Sequence, residues 1–270
     1  MTRKFLPTTA FPTEPLIIFS GAHQPDKIEA LRLEQAEAVM ISFEYLKATT
    51  SHTKIVPEFD WPTRMYLDSG IYTLMRQVGV HRHVEFGSKK ALGAEGAVSQ
   101  AFGELSTRYQ AYVEAHGDDW DHIAELDCDQ LPGLGPKVAQ EWQDHLYEVV
   151  GDRLLPVWHQ LRGQESWVEM CKKFPYVGIG GDAGVRGEGS RTGQHFTLFR
   201  KMVQYAHAQG VVVHGMGSTT TESFEKIGWD TADSTTWISG SRFGRYGNIM
   251  HYSVQASKNH SAADSARMRA

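Results

Sequence analysis

The sequence predicts a single (β/α)8 barrel, in which eight parallel strands close into a ring surrounded by helices. Short apolar or β-branched runs alternate with longer helix-like stretches through most of the chain, and this alternation is typical of a parallel sheet. Eight such runs are present in 270 residues, and a barrel of eight strands usually takes about 250 residues. The alternative is a doubly wound open sheet, which normally has fewer strands and a Gly-rich phosphate-binding turn.

Each strand is predicted from an apolar run that ends in small or polar residues. In chain order the predicted strands are Leu16–Ser20, Ala38–Phe43, Met65–Ser69, Ile123–Asp127, Leu155–His159, Tyr176–Gly180, Val211–Gly215 and Thr231–Thr235. The helical patterns between them are Asp26–Gln35, Glu95–His116, Lys137–Val149, Gln164–Phe174, His195–Gln209 and Thr220–Ile227. Asp26 and Thr220 are expected N-caps and Gly228 an expected C-cap, whereas residues 49–62 are expected to form a loop.

Composition limits the class of protein. The chain is 41% hydrophobic and 22% charged, with 27 basic against 32 acidic residues and a net charge of -5, which weighs against a strongly basic nucleic-acid-binding protein. No apolar run reaches the length of a membrane span, and Met1–Pro15 has no apolar stretch of signal-peptide length. With only Cys128 and Cys171, we expect neither a disulfide framework nor a Cys-rich zinc site. A cytoplasmic protein is therefore expected.

One domain is predicted for residues 1–256, because no composition break or Pro/Ser-rich linker divides that part of the chain. Residues 257–270 are small and polar, which is typical of a frayed C-terminal tail.

Polar residues stand at the carboxyl ends of the predicted strands, where barrels of this type carry their chemistry. They are Asp68-Ser69-Gly70, Asp127-Cys128-Asp129, His159-Gln160, Gly180-Gly181, His214-Gly215-Met216-Gly217 and, in the last strand, Asp230 and Asp233. Grouped carboxylates repel one another and raise some of their pKa values, which suits a nucleophile paired with a general acid or base. The alternative is that each Asp only caps a helix or forms a turn.

Six ordered segments resemble the tRNA-guanine transglycosylase superfamily, most closely its short phage and genomic-island members that place 7-deazaguanine bases such as preQ0 into DNA. The segments are Tyr66–Gly70, Glu125–Asp127, Pro156–Gln160, Val177–Gly181, His214–Gly217 and Trp229–Asp233. The resemblance covers residues 16–245 and implies a (β/α)8 barrel, in agreement with the alternation of strands and helices.

The resemblance also implies a pair of catalytic carboxylates. Asp233 matches the nucleophile, which would attack C1′ of the target nucleoside, expel guanine and hold the sugar as an ester. Displacement of this ester by the incoming base would give net retention, as in retaining glycosidases. Asp68 matches the carboxylate that handles the protons of the departing and entering bases; a turn residue before Gly70 is its alternative role.

Base recognition is implied by a second group of matched positions. Asp127 would accept hydrogen bonds from N1–H and the exocyclic amine of a guanine-like ring, and either His159 or Gln160 would contact O6, since the match slips by one residue there. Gly181, or else Gly180, would supply a backbone N–H. Ser69, His214 and Gly215 complete the predicted substrate-binding set. Tyr72, Trp158 and Trp237 are candidates for stacking on the base, although each aromatic also fits a core position.

The expected function is therefore DNA-guanine transglycosylation, a pentosyl transfer that needs no cofactor and no metal. The tRNA enzymes of the superfamily carry a structural zinc, and the two cysteines cannot supply its usual ligands, which shifts the expectation from tRNA towards DNA. The target nucleotide would have to leave the stack or be single-stranded. The alternatives are base exchange on tRNA, a catalytically silent nucleic-acid-binding subunit, and an unrelated nucleoside-cleaving barrel.

DNA contacts are expected from basic residues around the predicted site, despite the net negative charge. Arg186 and Arg191 lie in the Gly-rich segment 178–193, which lacks the Gly-Lys-Ser/Thr of a P-loop. Arg242 and Arg245 follow the last predicted strand. A collar of so few cations predicts weak, salt-sensitive binding, so a partner protein that helps to hold DNA is also expected.

Overall fold

The computed structural model describes residues 14–23, 25–46, 61, 63–79, 95–180 and 192–238, the side chains of residues 192–195 and 236 excepted. In this part the chain forms a nearly closed barrel of parallel strands with helices in the connections. The predicted α/β barrel is thus confirmed. The predicted domain boundary after residue 256 and the tail at 257–270 lie outside the described residues.

All the neighbouring strands of the sheet run parallel. The strands are β1 (Leu16–Ser20), β2 (Ala38–Ser42), β3 (Arg64–Asp68), β4 (His122–Ala124), β5 (Leu154–Leu155), β6 (Val157–Trp158), β7 (Tyr176–Ile179), β8 (Val212–Gly215) and β9 (Thr231–Ser234). Their spatial order is β5-β4-β3-β2-β1-β9-β8-β7-β6. Each predicted strand therefore has a counterpart, and β1 joins the first half of the ring to the last through its pairing with β9.

Pro156 explains why nine strands are assigned instead of the predicted eight. It separates β5, which pairs with β4, from β6, which pairs with β7. Proline has no N–H to donate to a sheet, but its carbonyl accepts a hydrogen bond of 2.7 Å from the Gly178 N–H. The segment Leu154–Trp158 is thus one strand position, interrupted at the proline, that connects the two ends of the sheet.

The helices lie outside the ring of strands. They are α1 (Pro25–Leu33), α2 (Phe43–Leu46), α3 (Ile71–Gln77), α4 (Glu95–His116), α5 (Pro136–Val150), α6 (Gly163–Lys173), α7 (Thr192–Ala208) and α8 (Thr221–Ile227). Short 3-10 turns follow β4 at Cys128–Gln130 and β6 at Gln160–Arg162. Among the described helices, none combines the length and the apolar character needed to cross a membrane.

The helix boundaries agree with the sequence at some ends and differ at others. Thr220 caps α8 as predicted, since its hydroxyl accepts from the Ser223 N–H at 3.1 Å, and Gly228 ends that helix with a left-handed φ of 87°. Asp26 is not an N-cap, because α1 begins one residue earlier at Pro25. Proline is favoured in the first helical turn, where its missing N–H would have no partner.

Two helices were absent from the sequence prediction. They are α2 and α3, of four and seven residues. Both are too short for a helical repeat of apolar residues to stand out. Of the loop predicted at residues 49–62, only Trp61 is described; it is buried and donates from its indole N–H to the Ala36 carbonyl.

Buried side chains form two apolar layers on opposite faces of the sheet. The layer between the strands and the helices is the larger and includes Val213, Trp229 and Ala232. The layer inside the barrel comprises Ile18, Ala38, Met40, Tyr66, Leu155, Tyr176 and Val212. Because successive side chains of a strand alternate between its two faces, Asp68 shares the inner face with Tyr66.

Candidate active site

Asp233 lies near the carboxyl end of β9 and is held by three hydrogen-bond donors. The Ser20 hydroxyl, from the end of β1, donates to Oδ2 at 2.6 Å. His214 Nε2 and the Gly217 N–H contact Oδ1 at 3.2 and 2.8 Å. Burial alone would raise the pKa of Asp233, but the hydrogen bond and the charge of His214, together with the hydrogen bonds from Ser20 and Gly217, outweigh it and lower the pKa below its usual value. The carboxylate is therefore ionised at neutral pH.

Asp68, at the end of β3, is in the opposite electrostatic situation. Burial raises its pKa to about 7, and the negative charges of Asp127 and Asp233 act in the same direction, against the lowering effect of the Ser42 hydroxyl. Near neutral pH this carboxyl therefore exists in both its protonated and its ionised form. Such a group can donate and accept a proton under the same conditions.

Asp127 follows β4 and lies beside the Asp68 motif. Ser69, next to Asp68 in the chain, donates from its hydroxyl to Asp127 Oδ1 at 3.2 Å, and His159 Nε2 lies 3.8 Å from Asp127 Oδ2. Burial raises the pKa of Asp127, while the positive charge of His159 opposes that rise. The predicted residues Asp68, Ser69, Asp127 and His159 are thus brought together.

A buried ionic cluster contacts the Nδ1 side of the His159 ring, away from Asp127. The His159 Nδ1 atom is 2.8 Å from Asp129 Oδ1, and Asp129 Oδ2 accepts a hydrogen bond from Arg162 Nε at 3.3 Å. Arg162 also contacts Glu125, which in turn accepts from the Gln143 amide at 2.8 Å. Asp129 and Glu125 are fully buried, so the cations of this cluster compensate carboxylates that have no access to water.

Both partners of the His159–Asp129 pair are shifted towards their charged forms. Burial would lower the pKa of His159, but the hydrogen bond and charge of Asp129 raise it. Burial would raise the pKa of Asp129, but His159 and Arg162 lower it. The pair is therefore shifted towards its imidazolium–carboxylate form, with Nδ1 occupied by Asp129 and Nε2 on the Asp127 side.

The structure separates the two alternatives His159 and Gln160. His159 is buried and contacts the Asp127 side of the site, whereas Gln160 is exposed at the start of a 3-10 turn. We therefore assign the inward position to His159.

Gly180 and Gly215 have steric roles that differ from those predicted. The Gly180 N–H already donates to the Trp158 carbonyl at 2.8 Å, and a Cβ at Gly180 would lie 2.2 Å from His159 Nε2. This glycine makes room for the imidazole rather than supplying a donor. Gly215 faces away from the barrel interior, because a Cβ there would meet the Trp229 ring at 2.7 Å, so it does not line the predicted pocket floor.

His214 is fully buried beneath Asp233, and its Nε2 contacts the carboxylate.

Asp230, three residues before Asp233, is predicted to lie with the other carboxylates but lies at the amino end of β9. Its Oδ2 accepts from His207 and from the Val213 N–H, at 2.9 and 2.7 Å. Three residues of strand span about 10 Å, so Asp230 is a structural residue at the opposite end of the barrel.

The aromatic candidates differ in exposure. Trp158 and Trp237 are core residues, only 4% and 3% exposed, and Trp237 donates from its indole to the Ser20 carbonyl at 2.7 Å. Tyr72, in the first turn of α3 after the Asp68 motif, is 50% exposed. Of the three, only Tyr72 presents a ring to solvent.

Several predicted residues lie outside the described part of the chain. They are Gly181, Arg186, Arg191, Arg242 and Arg245.

Four residues of the site were missed as functional candidates. Ser20 is the polar end of a strand, a signal of the same kind as Asp68. Glu125, Gln143 and Arg162 are separated along the chain, and no spacing in the sequence indicates their contact. Among the described residues, no group of three His, Cys, Asp or Glu side chains is arranged to hold a metal ion.

Comparison with known proteins gives the fold and no family. No family model matches the chain, and no curated protein matches it. Among solved structures, a putative fructose-1,6-biphosphate aldolase from Coccidioides immitis matches with a TM-score of 0.52 at 10% identity, covering 94% of this chain and 86% of that one. A HpcH/HpaI aldolase from Desulfitobacterium hafniense matches with a TM-score of 0.40 at 11% identity, covering 86% and 90%. At 10% identity, the likeness to the first of these structures supports the barrel fold alone.

Proposed function

We propose that this chain is a transglycosylase that exchanges guanine in DNA for a 7-deazaguanine base through an ester between Asp233 and the sugar. The observation that carries the proposal is that two carboxyls at the same end of the barrel have pKa values shifted in opposite directions. Asp233 is held ionised by three donors, while the pKa of Asp68 is raised to about 7. A nucleophile and an acid–base group need these two states.

In the first half-reaction a carboxylate oxygen of Asp233 forms a bond to C1′ of the target nucleoside. The bond from C1′ to N9 of guanine breaks, and its electron pair stays on the base. Asp68 in its protonated form gives its proton to the departing base, so that neutral guanine leaves and Asp68 becomes a carboxylate. Ester formation is therefore expected to slow as the pH rises above about 7, the pKa of Asp68.

The second half-reaction reverses these steps with a different base. The ionised Asp68 takes the N9 proton of the incoming 7-deazaguanine, whose N9 then attacks C1′ and releases Asp233 as a carboxylate. The donors that favour the ionised form of Asp233 stabilise it as a leaving group. The glycosidic bond is broken and re-formed, which explains why the reaction has no need of a nucleotide or redox cofactor.

Base recognition is assigned to Asp127 and His159. The carboxylate can accept from N1–H and the exocyclic amine of a guanine-like ring, and the imidazolium can donate from Nε2 to O6. The His159 Nε2 and Asp127 Oδ2 atoms are 3.8 Å apart, so a donor and an acceptor lie side by side, as the N1–C6 edge of guanine requires. Adenine presents the reverse pattern at this edge and would meet a carboxylate with its unprotonated N1.

DNA is proposed as the polymer because the chain has too few cysteines for the zinc site of the tRNA enzymes it resembles. The reacting nucleotide has to be flipped out or single-stranded to bring C1′ to Asp233. We therefore expect faster reaction on single-stranded or mismatched DNA than on a perfect duplex.

The test is incorporation of a labelled base. The protein is incubated with radiolabelled preQ0 and either single-stranded DNA or tRNA, with Asp233→Asn as the control. Label in DNA that depends on Asp233 supports the proposal. Label only in tRNA would replace the polymer and keep the chemistry, while release of guanine without incorporation would identify a glycoside hydrolase. No release and no incorporation with either polymer would contradict the proposed activity.

A further inference from the structure

Asp129 lies between two basic side chains, and each of its carboxylate oxygens contacts one of them. Oδ1 is 2.8 Å from His159 Nδ1, and Oδ2 accepts a hydrogen bond from Arg162 Nε at 3.3 Å. Asp129 is fully buried and His159 is only 5% exposed. The protein itself, rather than water, therefore supplies the partner of the Nδ1 edge of this imidazole.

The carboxylate of Asp129 decides which hydrogens the His159 ring can carry. Burial would raise the pKa of Asp129, but the hydrogen bond and charge of His159, together with Arg162, lower it. Asp129 is therefore ionised and can only accept a hydrogen bond. Nδ1 of His159 then carries a hydrogen in both the neutral and the charged form of the ring. Nε2 carries a hydrogen only when the ring is an imidazolium.

Nε2 is the nitrogen to which contact with the base is assigned. It lies 3.8 Å from Asp127 Oδ2, which is too long for a hydrogen bond, so its hydrogen is not committed to that carboxylate. As an imidazolium, His159 offers O6 of a guanine-like base a donor. The neutral ring with hydrogen on Nδ1 would instead place a lone pair of Nε2 against O6, and two acceptors repel each other.

The charged groups that face His159 come from two connections of the barrel. Asp127 and Asp129 follow β4, and Arg162 belongs to the 3-10 turn after β6. Burial lowers the pKa of His159 and Arg162 acts in the same direction, but the hydrogen bond and charge of Asp129 and the charge of Asp127 raise it above its usual value. Gly180, which a Cβ would bring within 2.2 Å of Nε2, adds no charge.

We infer that Asp129 makes recognition of the 6-oxo group of the base depend on the charge of His159: it keeps a hydrogen on Nδ1, so that Nε2 can donate to the base only from the imidazolium. Asp129 is thus a positioning residue that acts through His159. The inference rests on the proposed function for its ligand, a guanine-like base. The position of the hydrogen is a property of the free protein and can be measured without any ligand.

Asp129→Asn is expected to reverse the tautomer with little change in shape. Arg162 can only donate, so the amide oxygen should face Arg162 and the amide NH2 should face His159. Nδ1 then accepts, and the neutral ring carries its hydrogen on Nε2. Loss of the negative charge also lowers the pKa of His159. This variant therefore keeps a donor at Nε2 when the ring is neutral, which the wild type does not.

The first readout is the ¹⁵N chemical shifts of His159 in the free protein across a pH titration. Its signals among the 13 histidines are identified by their absence in His159→Gln. We expect the neutral ring to carry hydrogen on Nδ1 in the wild type and on Nε2 in Asp129→Asn, with a lower pKa in the variant. Hydrogen on Nε2 in the neutral wild-type ring, or the same neutral tautomer in both proteins, would overturn the inference.

The second readout is the dissociation constant of preQ0 across the same pH range, measured by calorimetry. We expect wild-type affinity to fall by at least about tenfold as the pH rises through the pKa of His159 found by NMR, the loss of roughly one charged hydrogen bond. In Asp129→Asn, and in His159→Gln, whose amide can donate at any pH, the change should stay below about threefold. A wild-type profile as flat as that of the variants would overturn the inference.

His116→Gln is the matched control, because His116 lies at the end of α4 and contacts Asp119 at 3.6 Å. It should keep the wild-type pH profile, and a flat profile in this variant would show that the dependence does not come from His159. Asp68 and the base itself titrate in all these proteins, so the comparison isolates the histidine.

The two readouts separate this inference from the proposed function. A wild type that binds no preQ0 at any pH would refute the proposed base and the recognition step, while the NMR titration still decides which nitrogen Asp129 keeps protonated. If Asp129→Asn is too unstable to purify, the tautomer of the wild type and the pH profile of His159→Gln remain decisive. Hydrogen on Nε2 in the neutral wild-type ring, or a pH profile of His159→Gln equal to that of the wild type, would each contradict the inference.

Discussion

Two buried carboxylates at the same end of the barrel, Asp233 and Asp129, are stabilised in different ways. Asp233 receives hydrogen bonds from a hydroxyl, an imidazole and a backbone N–H. Asp129 is paired with the guanidinium of Arg162 and with His159, whose pKa is raised. Among the described residues, no guanidinium or ammonium group pairs with the first carboxylate, whereas the second belongs to an ionic cluster.

This difference indicates which carboxylate can be alkylated. An ester carries no charge, and removing the charge of Asp129 would leave Arg162 as a buried cation with less compensation, which costs several kcal/mol. The hydrogen bonds that Asp233 accepts can be kept after esterification, because the carbonyl oxygen of an ester still accepts hydrogen bonds. The Asp233 side of the site therefore suits a residue that gains and loses charge during a reaction, and the Asp129 side suits fixed recognition.

The largest effect is expected for Asp233→Asn. Replacing the nucleophile by a neutral amide should lower the rate of ester formation by at least about 10⁴-fold, as for other covalent nucleophiles. The rate is measured by quenched single-turnover assays on a single-stranded oligonucleotide. Asp129→Asn is the comparison. Ester formation in Asp129→Asn but not in Asp233→Asn would support the distinction between the two carboxylates. Ester formation in Asp233→Asn but not in Asp129→Asn would contradict it.

Arg162→Met should destabilise the fold. It removes the cation between Glu125 and Asp129, both fully buried, and such changes cost about 3–5 kcal/mol. Urea unfolding followed by circular dichroism gives the free energy of unfolding. The matched control is Arg32→Met, because Arg32 pairs with Glu29 on the surface of α1 and should contribute less than about 1 kcal/mol. Equal losses in both variants would mean that the buried cluster does not depend on Arg162.

Asp68→Asn should make the protein more stable at pH 8 than the wild type, by about 1–3 kcal/mol. The pKa of Asp68 is raised from 3.8 to about 7 in the fold, so between these pH values the unfolded chain releases a proton that the folded chain keeps. Wild-type stability therefore falls as the pH rises from about 4 to about 7, and the variant lacks this loss. Unfolding at pH 4 and pH 8 tests it; an advantage independent of pH would contradict the raised pKa.

Gly180→Ala should weaken base binding by about tenfold, roughly 1.4 kcal/mol, because its Cβ would lie 2.2 Å from His159 Nε2 and displace the imidazole. The dissociation constant for the base is measured by calorimetry. Gly103→Ala, within α4, serves as control, since no described atom outside the local helix backbone lies within 4 Å of its Cβ; it should leave binding unchanged and stabilise the helix. Unchanged affinity in Gly180→Ala would separate His159 from base recognition.

The barrel could be predicted because alternation of strands and helices is a local property of the sequence. Eight apolar runs indicated eight strand positions, and only Pro156 divided one of them. The short helix α3 escaped prediction because seven residues do not establish a period.

The sequence predicts the site residues that lie at strand ends, but it does not predict the contacts between residues that are far apart in the chain. Asp68, Asp127 and Asp233 end or follow strands, so their convergence follows from closure of the barrel. Asp230 was misplaced because a position within a strand decides which end of the barrel a side chain reaches. The contacts of Arg162 with Glu125 and Asp129 join residues more than 30 positions apart, and no local pattern encodes them.

The most direct test of the central claim is peptide mapping of the covalent intermediate. The protein is mixed with a guanine-containing single-stranded oligonucleotide, denatured in acid and digested, and the modified peptide is identified by mass spectrometry. We predict an adduct equal in mass to the oligonucleotide without its guanine, attached at Asp233. Base exchange without an adduct at Asp233, or an adduct at Asp68, Asp127 or Asp129, would contradict the account.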